Sequence, residues 1–205
     1  MPGENAPLLV GSKNPDKVLE IRRFLAGLPV RVTDLSAFDV PDVAEDGDTF
    51  EANAALKARG FAAETGLLTV ADDSGLEIDA LGGAPGIYSA RFAGEPPDDE
   101  ANNALVLERL AGVPDDERTA RFRCVIALAS PEGLIFTTEG HVEGRIAREE
   151  RGDYGFGYDP LFIPVGYERT FGELGREIKD SISHRAHALA AFREKFTEYM
   201  REGGQ

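Results

Sequence analysis

The sequence predicts an α/β protein built on a mixed β-sheet. In the first half of the chain, short apolar runs alternate with stretches whose apolar residues recur at helical spacing, a pattern typical of parallel strands joined by helices. Residues 118–129 and 134–147 are two long apolar runs separated by a Pro-Glu-Gly turn, which predicts an antiparallel hairpin. A sheet with both kinds of strand pair is mixed, so the pattern disfavours a purely doubly wound fold.

Capping and breaking residues define the elements of the first half. Asn14 and Pro15 are typical of an N-cap and a first helical position, and the helical spacing that follows them ends at Gly27. Gly66 closes a second, Ala-rich helix in the same way. The predicted elements are strands at residues 8–10, 30–35 and 67–71 and helices at residues 15–26, 49–65 and 97–111.

The end of the chain predicts one closing helix at residues 181–201. Ile182, Leu189, Phe192 and Phe196 recur on one side of this segment, and an apolar stripe of that kind is typical of a helix packed on a sheet.

Length and composition suit a single domain, with or without two lobes. The 205 residues are 42% hydrophobic, enough for a substantial core. No apolar run reaches the roughly 18 residues of a membrane span, and residues 1–9 lack the basic start of a signal peptide. The single Cys124 lies in an apolar run, where a buried strand residue is expected, and it suits a reducing cytoplasm.

The chain is strongly acidic, with a formal net charge of −15. This charge argues against a nucleic-acid partner, because nucleic-acid binding neutralises phosphates with lysine and arginine. A polyphosphate can still bind to such a chain where metal ions and a few placed cations reverse the local field.

Residues 11–17 form a polar loop between the first predicted strand and helix. The unpaired N–H groups and the dipole of a helix N-terminus favour an anion there, and Ser12, Asn14 and Lys17 add donors and charge. The alternative is an ordinary capped βα loop with a solvated lysine, which is common. The spacing of a Walker loop is missing.

Two acidic segments occur in the first half of the chain, and the second of them suggests metal chemistry. Asp72 and Asp73 directly follow a predicted buried strand, where paired carboxylates are costly unless they bind a metal or accept hydrogen bonds, and Mg²⁺ prefers such oxygen ligands. The alternative is a turn, since Asp-Ser-Gly is turn chemistry. Glu45 precedes the Ala-rich helix that carries Lys57. Acidic residues in this position are often only partners of the helix dipole, and the lysine is either exposed or points into a cleft.

Two later segments offer groups for a base and for phosphate. The glycines of residues 155–160 allow close backbone approach, and Phe156 is placed to stack on a base, although a loop with core aromatics is equally consistent. Lys179, His184 and Arg185 surround the start of the closing helix, and three such donors suit a carbonyl or phosphate oxygen.

In this order, the segments resemble the inosine triphosphate pyrophosphatase (Ham1-like) family. The match is carried by Ser12-Lys13-Asn14 with Lys17, residues 49–54 with Lys57, residues 71–76, residues 82–91, residues 156–160 and residues 183–185. Together they span almost the whole chain. The chain departs from the family pattern at Lys13, where a glycine is usual.

The resemblance implies an elongated α/β fold with a mixed sheet, flanking helices and two lobes around a central active-site cleft, so that residues 1–205 form one two-lobed domain. It implies a homodimeric, Mg²⁺-dependent hydrolase that splits ITP, dITP and XTP into monophosphate and pyrophosphate. Such an enzyme clears deaminated purines from the nucleotide pool before they enter DNA or RNA.

The resemblance also implies roles for particular residues. Glu45 and Asp73 would hold the metal, and Asp73, with Asp72 and Lys57, would be catalytic. The implied substrate-binding residues are Ser12, Lys13, Asn14, Lys17, Lys57, Ser74, Phe156, Gly157, Tyr158, Asp159, Lys179, His184 and Arg185. Among these, Phe156 would stack on the base, with Asp159, His184 and Arg185 near its edge.

Three competing functions remain open at this point. A Maf-like pyrophosphatase would act on pyrimidine or modified nucleotides. A nucleotide-binding regulator would bind without turnover, although it would not need a carboxylate base beside a metal. A generic α/β binding domain would explain the hydrophobic pattern but not the polar segments.

Overall fold

The computed structural model describes residues 6–204, which form one six-stranded sheet and five α-helices. The strands are β1 (Ala6–Val10), β2 (Val30–Asp34), β3 (Leu68–Ile78), β4 (Thr119–Ser130), β5 (Gly133–Ile146) and β6 (Phe162–Pro164). The helices are α1 (Pro15–Leu25), α2 (Phe50–Thr65), α3 (Asp99–Arg109), α4 (Phe171–Ile182) and α5 (His184–Arg201).

The sheet is mixed, as the sequence predicts. Its strand order is β2-β1-β3-β4-β5-β6. Strand β1 pairs in parallel with β2 and with β3, whereas β5 and β6 are antiparallel. The parallel pairs are joined through α1 and α2, which is the connection that parallel strands require.

The predicted helix signals work as expected at α1 and α2. The Asn14 side chain accepts hydrogen bonds from the backbone N–H groups of Asp16 and Lys17, and Pro15 begins α1. Thr49 caps α2 by accepting from the N–H of Ala52. Gly66 ends α2 with a φ of 69°, a left-handed conformation that glycine adopts without strain.

The structure excludes the turn that was an alternative interpretation of the segment containing the two aspartates. Strand β3 does not end before Asp72 and Asp73 but runs on to Ile78. Leu76 and Ile78 are fully buried, so burial of these side chains outweighs the turn propensity of Asp-Ser-Gly. The two aspartates therefore lie in the middle of a strand.

The closing helix predicted at residues 181–201 is α5, which begins at His184; Ser181 and Ile182 instead end a preceding helix, α4, that the sequence analysis missed. Ser183 has an extended conformation between α4 and α5, with a φ of −72° and a ψ of 158°. Thr170 caps α4, and its side chain forms a reciprocal capping box with Glu173. Sequence analysis missed α4 because Gly172 and Gly175 lower helix propensity. Gly175, with a φ of 76°, is not helical and kinks α4.

The described chain divides into two compact units. The first comprises the residues up to Asp73, Cys124–Gly140 and the residues from His187 onward; the second comprises Ser74–Arg123 and His141–Ala186. Each unit has its own apolar core. In the largest core of the first unit, α1 and α5 pack on strand residues, among them Cys124, which is buried as the sequence predicts. In the core of the second unit, α3 and α4 pack against β3, β4 and β5. Of the helices between residues 6 and 204, none combines the length and apolar character of a membrane span.

Candidate active site

The two aspartates of β3 have different partners. Successive side chains of a strand point to opposite faces of its sheet, and the contacts follow this rule. Asp72 Oδ2 lies 3.2 Å from Lys17 Nζ of α1 and 4.0 Å from Cys124 Sγ of β4. Asp73 Oδ1 accepts a hydrogen bond of 2.9 Å from Lys57 Nζ of α2. The adjacent carboxylates thus belong to separate clusters.

The second of these clusters joins Glu45, Lys57 and Asp73 in the first unit. Lys57 Nζ donates to Glu45 Oε2 at 2.8 Å as well as to Asp73. Asp73 is only 6% exposed and Lys57 is buried as well, so of the two alternatives that the sequence left open for this lysine, the exposed one is wrong. Asn53, one helical turn before Lys57, holds the loop that carries Glu45, because its Oδ1 accepts from the N–H of Gly47 at 2.8 Å.

The charges of this cluster control its protonation. Burial by itself lowers the pKa of Lys57, but the negative charges of Asp73, Asp72 and Glu45 outweigh it and raise the pKa above its usual value. The lysine therefore stays an ammonium at neutral pH. Burial raises the pKa of the Asp73 carboxyl, with Lys57 and Lys17 acting in the opposite direction.

The donor set of the cluster fits a divalent cation. Asp73 Oδ2 is buried and has no hydrogen-bond partner among residues 6–204, so the strand holds a carboxylate oxygen that Lys57 does not use. Glu45 adds a second carboxylate. Two carboxylates completed by water and phosphate oxygens suit Mg²⁺, but the described residues contain no group of three metal-ligating side chains.

The predicted phosphate loop lies at the start of α1. Ser12 Oγ accepts from the N–H of Asn14 at 3.2 Å, and Asn14 uses its own Oδ1 to cap the helix. Lys17 faces Asp72, whereas the exposed Lys13 pairs with Asp42. The loop is thus a well-capped βα turn in which Lys17, rather than Lys13, pairs with an aspartate of β3.

Phe156, Asp159 and Lys179 come together in the second unit. Lys179 and Asp159 are each 2% exposed, and Lys179 Nζ donates to Asp159 Oδ2 at 2.6 Å. The same carboxylate oxygen accepts from the N–H of Phe156 at 3.0 Å. The Phe156 ring is half-buried, and its centroid lies 4.4 Å from Lys179 Nζ, a distance typical of a cation–π contact.

The start of α5 adds His184 and Arg185 to this group. The Arg185 guanidinium donates to Ser74 Oγ at 2.9 Å and lies 5.8 Å from the centroid of the Phe156 ring. The His184 ring stacks on Phe122, with centroids 4.7 Å apart and planes 15° apart. The structure thus brings the predicted base-binding side chains together within one unit.

Tyr158 is placed mainly by the core. Its hydroxyl donates to the backbone oxygen of Ser89 at 2.7 Å, and burial, helped by the charge of Asp99, raises the pKa of the phenol, which stays neutral. Ser89 also accepts from the N–H of Leu76 at 2.9 Å. Sequence reasoning assigned no role to Ser89, although it lies within the matching residues 82–91.

Gly155 has no room for a side chain. It has a φ of 89°, and a Cβ there would lie 2.0 Å from Asp159 Oδ2. We expect Gly155→Ala to lower the free energy of unfolding by roughly 2–5 kcal/mol, because left-handed strain of about 1–2 kcal/mol adds to steric overlap of about 1–3 kcal/mol. Urea unfolding measures this loss.

Gly82→Ala is the matched control for this substitution. Gly82 also has a positive φ, 64°, but a Cβ at this position would have no described atom of another segment within 4 Å. Its expected loss is the strain alone, about 1–2 kcal/mol. Equal losses in the two variants would contradict the proposed clash with Asp159.

The predicted site residues fall into two groups, and each group lies within one unit. The group of the first unit contains Ser12, Lys13, Asn14, Lys17, Glu45, Lys57, Asp72 and Asp73; the group of the second contains Ser74, Phe156, Gly157, Tyr158, Asp159, Lys179, His184 and Arg185. Sequence reasoning gave no role to Asn53 or to Asp99 and Asn103 of α3. Asp99 and Asn103 are one helical turn apart, and that spacing is their only signal in the sequence.

Comparison with known proteins identifies the family of the chain. The sequence profile of the Ham1 family matches residues 8–195. The chain is 56% identical over 183 residues to a dITP/XTP pyrophosphatase of Desulforamulus reducens, covering 89% of this chain and 91% of that protein. Many further relatives match at similar levels.

Solved structures show the same fold. A HAM1 protein from Coxiella burnetii is 42% identical with a TM-score of 0.86, covering 94% of this chain and 99% of that one. A nucleoside-triphosphatase, also named dITP/XTP pyrophosphatase, from Mycobacterium abscessus is 47% identical with a TM-score of 0.75, covering 91% and 98%. The profile match and these identities over nearly the full length show that the chain belongs to the Ham1 family.

Proposed function

We propose that the chain is a nucleoside triphosphate pyrophosphatase that hydrolyses deaminated purine nucleoside triphosphates, ITP, dITP and XTP, to the monophosphate and pyrophosphate. The observation that carries the proposal is the cluster in which the buried Lys57 lies between the exposed Glu45 and the buried Asp73. The names of the family relatives, dITP/XTP pyrophosphatase, agree with it. Removal of these nucleotides would keep them out of DNA and RNA.

The first unit supplies the groups that phosphoanhydride hydrolysis needs. This chemistry depends on charge neutralisation and an aligned water more than on covalent catalysis. Lys57 and Lys17 carry positive charge beside the acidic residues of β3, and with Ser12, Lys13 and Asn14 they would bind phosphate oxygens and stabilise the pyrophosphate leaving group.

Asp73 is the proposed proton acceptor. Its Oδ2 atom is buried and accepts no hydrogen bond from the described residues, so it can take a proton from a water molecule that attacks the α-phosphorus. Glu45 and Asp73 would hold Mg²⁺, which neutralises phosphate charge and lowers the pKa of bound water. Lys57 keeps both carboxylates in place through its two hydrogen bonds.

The second unit supplies groups that distinguish bases. Phe156 would stack on the purine, and the buried Arg185 would donate to O6 of hypoxanthine or xanthine. Adenine presents an amino donor at that position, so a donor would face a donor. A buried polar group without a partner costs about 1–3 kcal/mol, or roughly tenfold or more in rate.

The proposal includes features carried over from the family resemblance. These are a homodimer, a cytoplasmic location and one two-lobed domain comprising residues 1–205 with a cleft as its active site. The buried Cys124, the single cysteine of the chain, is a thiol, which is consistent with a reducing compartment.

Pyrophosphate release from ITP, XTP, dITP and ATP tests the proposal. We expect rapid release from the three deaminated nucleotides with Mg²⁺, loss of release with EDTA, and kcat/KM for ATP lower by about tenfold or more. Hydrolysis in ¹⁸O-water shows which phosphorus atom the water attacks, and we expect the label in the monophosphate. Label only in pyrophosphate would exclude attack at the α-phosphorus, and release confined to pyrimidine nucleotides would favour the Maf-like alternative.

A further inference from the structure

Helix α3 holds both polar backbone groups of Gly157. The N–H of Gly157 donates to Asp99 Oδ2 at 2.7 Å, and its carbonyl oxygen accepts from Asn103 Nδ2 at 3.1 Å. Asp99 and Asn103 are one turn apart on α3, so they share a helix face. All three residues lie in the second unit.

These contacts fix the backbone around Phe156. The peptide plane before Phe156 contains its own N–H, which Asp159 holds. The peptide plane after Phe156 contains the N–H of Gly157, which Asp99 holds. Because peptide units are planar, fixing both flanking planes fixes the two backbone dihedral angles of Phe156 and hence the direction of its side chain.

We call the hydrogen bonds of Asp99 and Asn103 to Gly157 the clamp. It acts at a residue whose backbone is otherwise free to move. Gly157 has a φ of 60°, and a Cβ there would have no described atom of another segment within 4 Å; glycine also has access to more conformations than other residues. Asn103 is 2% exposed, and its Nδ2 also donates to Glu150 Oε2 at 3.1 Å. One side of the clamp is therefore built into the interior of the unit.

We propose that Asp99 and Asn103 are positioning residues that set base selectivity by orienting Phe156. This inference rests on the proposed function, in which Phe156 stacks on the base. Both residues hydrogen-bond to the Gly157 backbone, and through that backbone they act on Phe156. A ring that is displaced by loss of the clamp presents the base at a changed angle to Arg185 and weakens discrimination between 6-keto and 6-amino purines.

The test compares kcat/KM for XTP with kcat/KM for ATP in substituted proteins. Asn103→Ala should lower the XTP/ATP ratio by about tenfold and Asp99→Ala by about fivefold, as expected for loss of one hydrogen bond. The loss for XTP should be mainly in KM, because the acidic cluster around Lys57 is unchanged. Asp99→Asn keeps an acceptor oxygen for the Gly157 N–H and should restore the ratio to within about twofold of wild type.

Asn102→Ala is the matched control. Asn102 is the neighbouring residue, is also 2% exposed and also makes two hydrogen bonds, but these go to the N–H of Ala93 and the carbonyl of Ala90. It should lose stability as Asn103→Ala does while keeping the XTP/ATP ratio within about twofold. An equal fall in ratio in the two variants, or an unchanged ratio in folded Asn103→Ala and Asp99→Ala, would overturn the proposal.

Amide hydrogen exchange separates failure of this inference from failure of the proposed function. Loss of the clamp should speed exchange in residues 155–158 but not in β4, with no substrate present. If the wild type does not prefer XTP to ATP, the proposed function fails and the selectivity role fails with it, whatever the exchange shows. If the preference is present but neither exchange nor ratio responds to the substitutions, only the positioning role is refuted.

Discussion

Asp73→Asn is expected to lower kcat for pyrophosphate release from XTP by about a thousandfold. Asparagine nearly matches aspartate in size but removes the negative charge and the proton-accepting oxygen. In the structure, Asp73 has one oxygen on Lys57 and one buried oxygen with no hydrogen-bond partner in the described chain. The substitution therefore removes both the proposed base and one of the two proposed metal ligands.

The measurement is pyrophosphate release under saturating XTP and Mg²⁺, with circular dichroism as a check on folding. Asp46→Asn is the control, since Asp46 is exposed and adjacent to Glu45. It makes the same chemical change in a neighbouring segment and should keep kcat within about twofold of wild type. A folded Asp73→Asn protein with kcat within tenfold of wild type would exclude Asp73 as the base.

Lys179→Met is expected to cause the largest loss of stability, about 3–5 kcal/mol in the free energy of unfolding. The substitution keeps the length of the side chain but removes the ammonium that lies 2.6 Å from Asp159 Oδ2. Both residues are 2% exposed, so the aspartate charge is left in the interior without its close partner. Adding Asp159→Asn should restore part of the loss, because it removes the aspartate charge that Lys179→Met leaves without its ammonium partner.

Lys195→Met is the control for this prediction. Lys195 also lies near an aromatic ring, with its Nζ 5.8 Å from the centroid of Phe136, but it is exposed. Its removal should change the free energy of unfolding by less than about 1 kcal/mol. Urea denaturation of the four proteins gives the comparison, and a loss at Lys179 no greater than at Lys195 would contradict a buried charge pair.

Local signals in the sequence predicted the fold well where one residue acts on its own segment. Asn14, Thr49 and Gly66 each control a helix end through bonds to nearby backbone, and such bonds depend only on close neighbours in sequence. Strand β3 could not be bounded in this way. Its continuation beyond Asp73 depends on the burial of Leu76 and Ile78 against distant residues, which overrides the local turn chemistry.

Sequence analysis of the candidate site is limited in the same way, because contacts between residues distant in sequence are not visible in it. Family resemblance selected Glu45, Lys57 and Asp73, and the structure brings these three together. Spacing along the chain does not reveal that Asp72 and Asp73 have different partners, because that follows from their place within a strand. The contacts of Asn103 with Gly157 join residues that are 54 positions apart, so only the folded chain shows them.

The lysines around the two site groups each face a carboxylate: Lys17 faces Asp72, Lys57 faces Asp73 and Glu45, and Lys179 faces Asp159. Their charges are therefore balanced within the protein itself. A site made only of cations would repel itself until an anion arrived, and its folding would depend on ligand concentration. Here each of these lysines has a carboxylate partner from the protein, so we expect folding of the two site groups not to depend on a bound nucleotide.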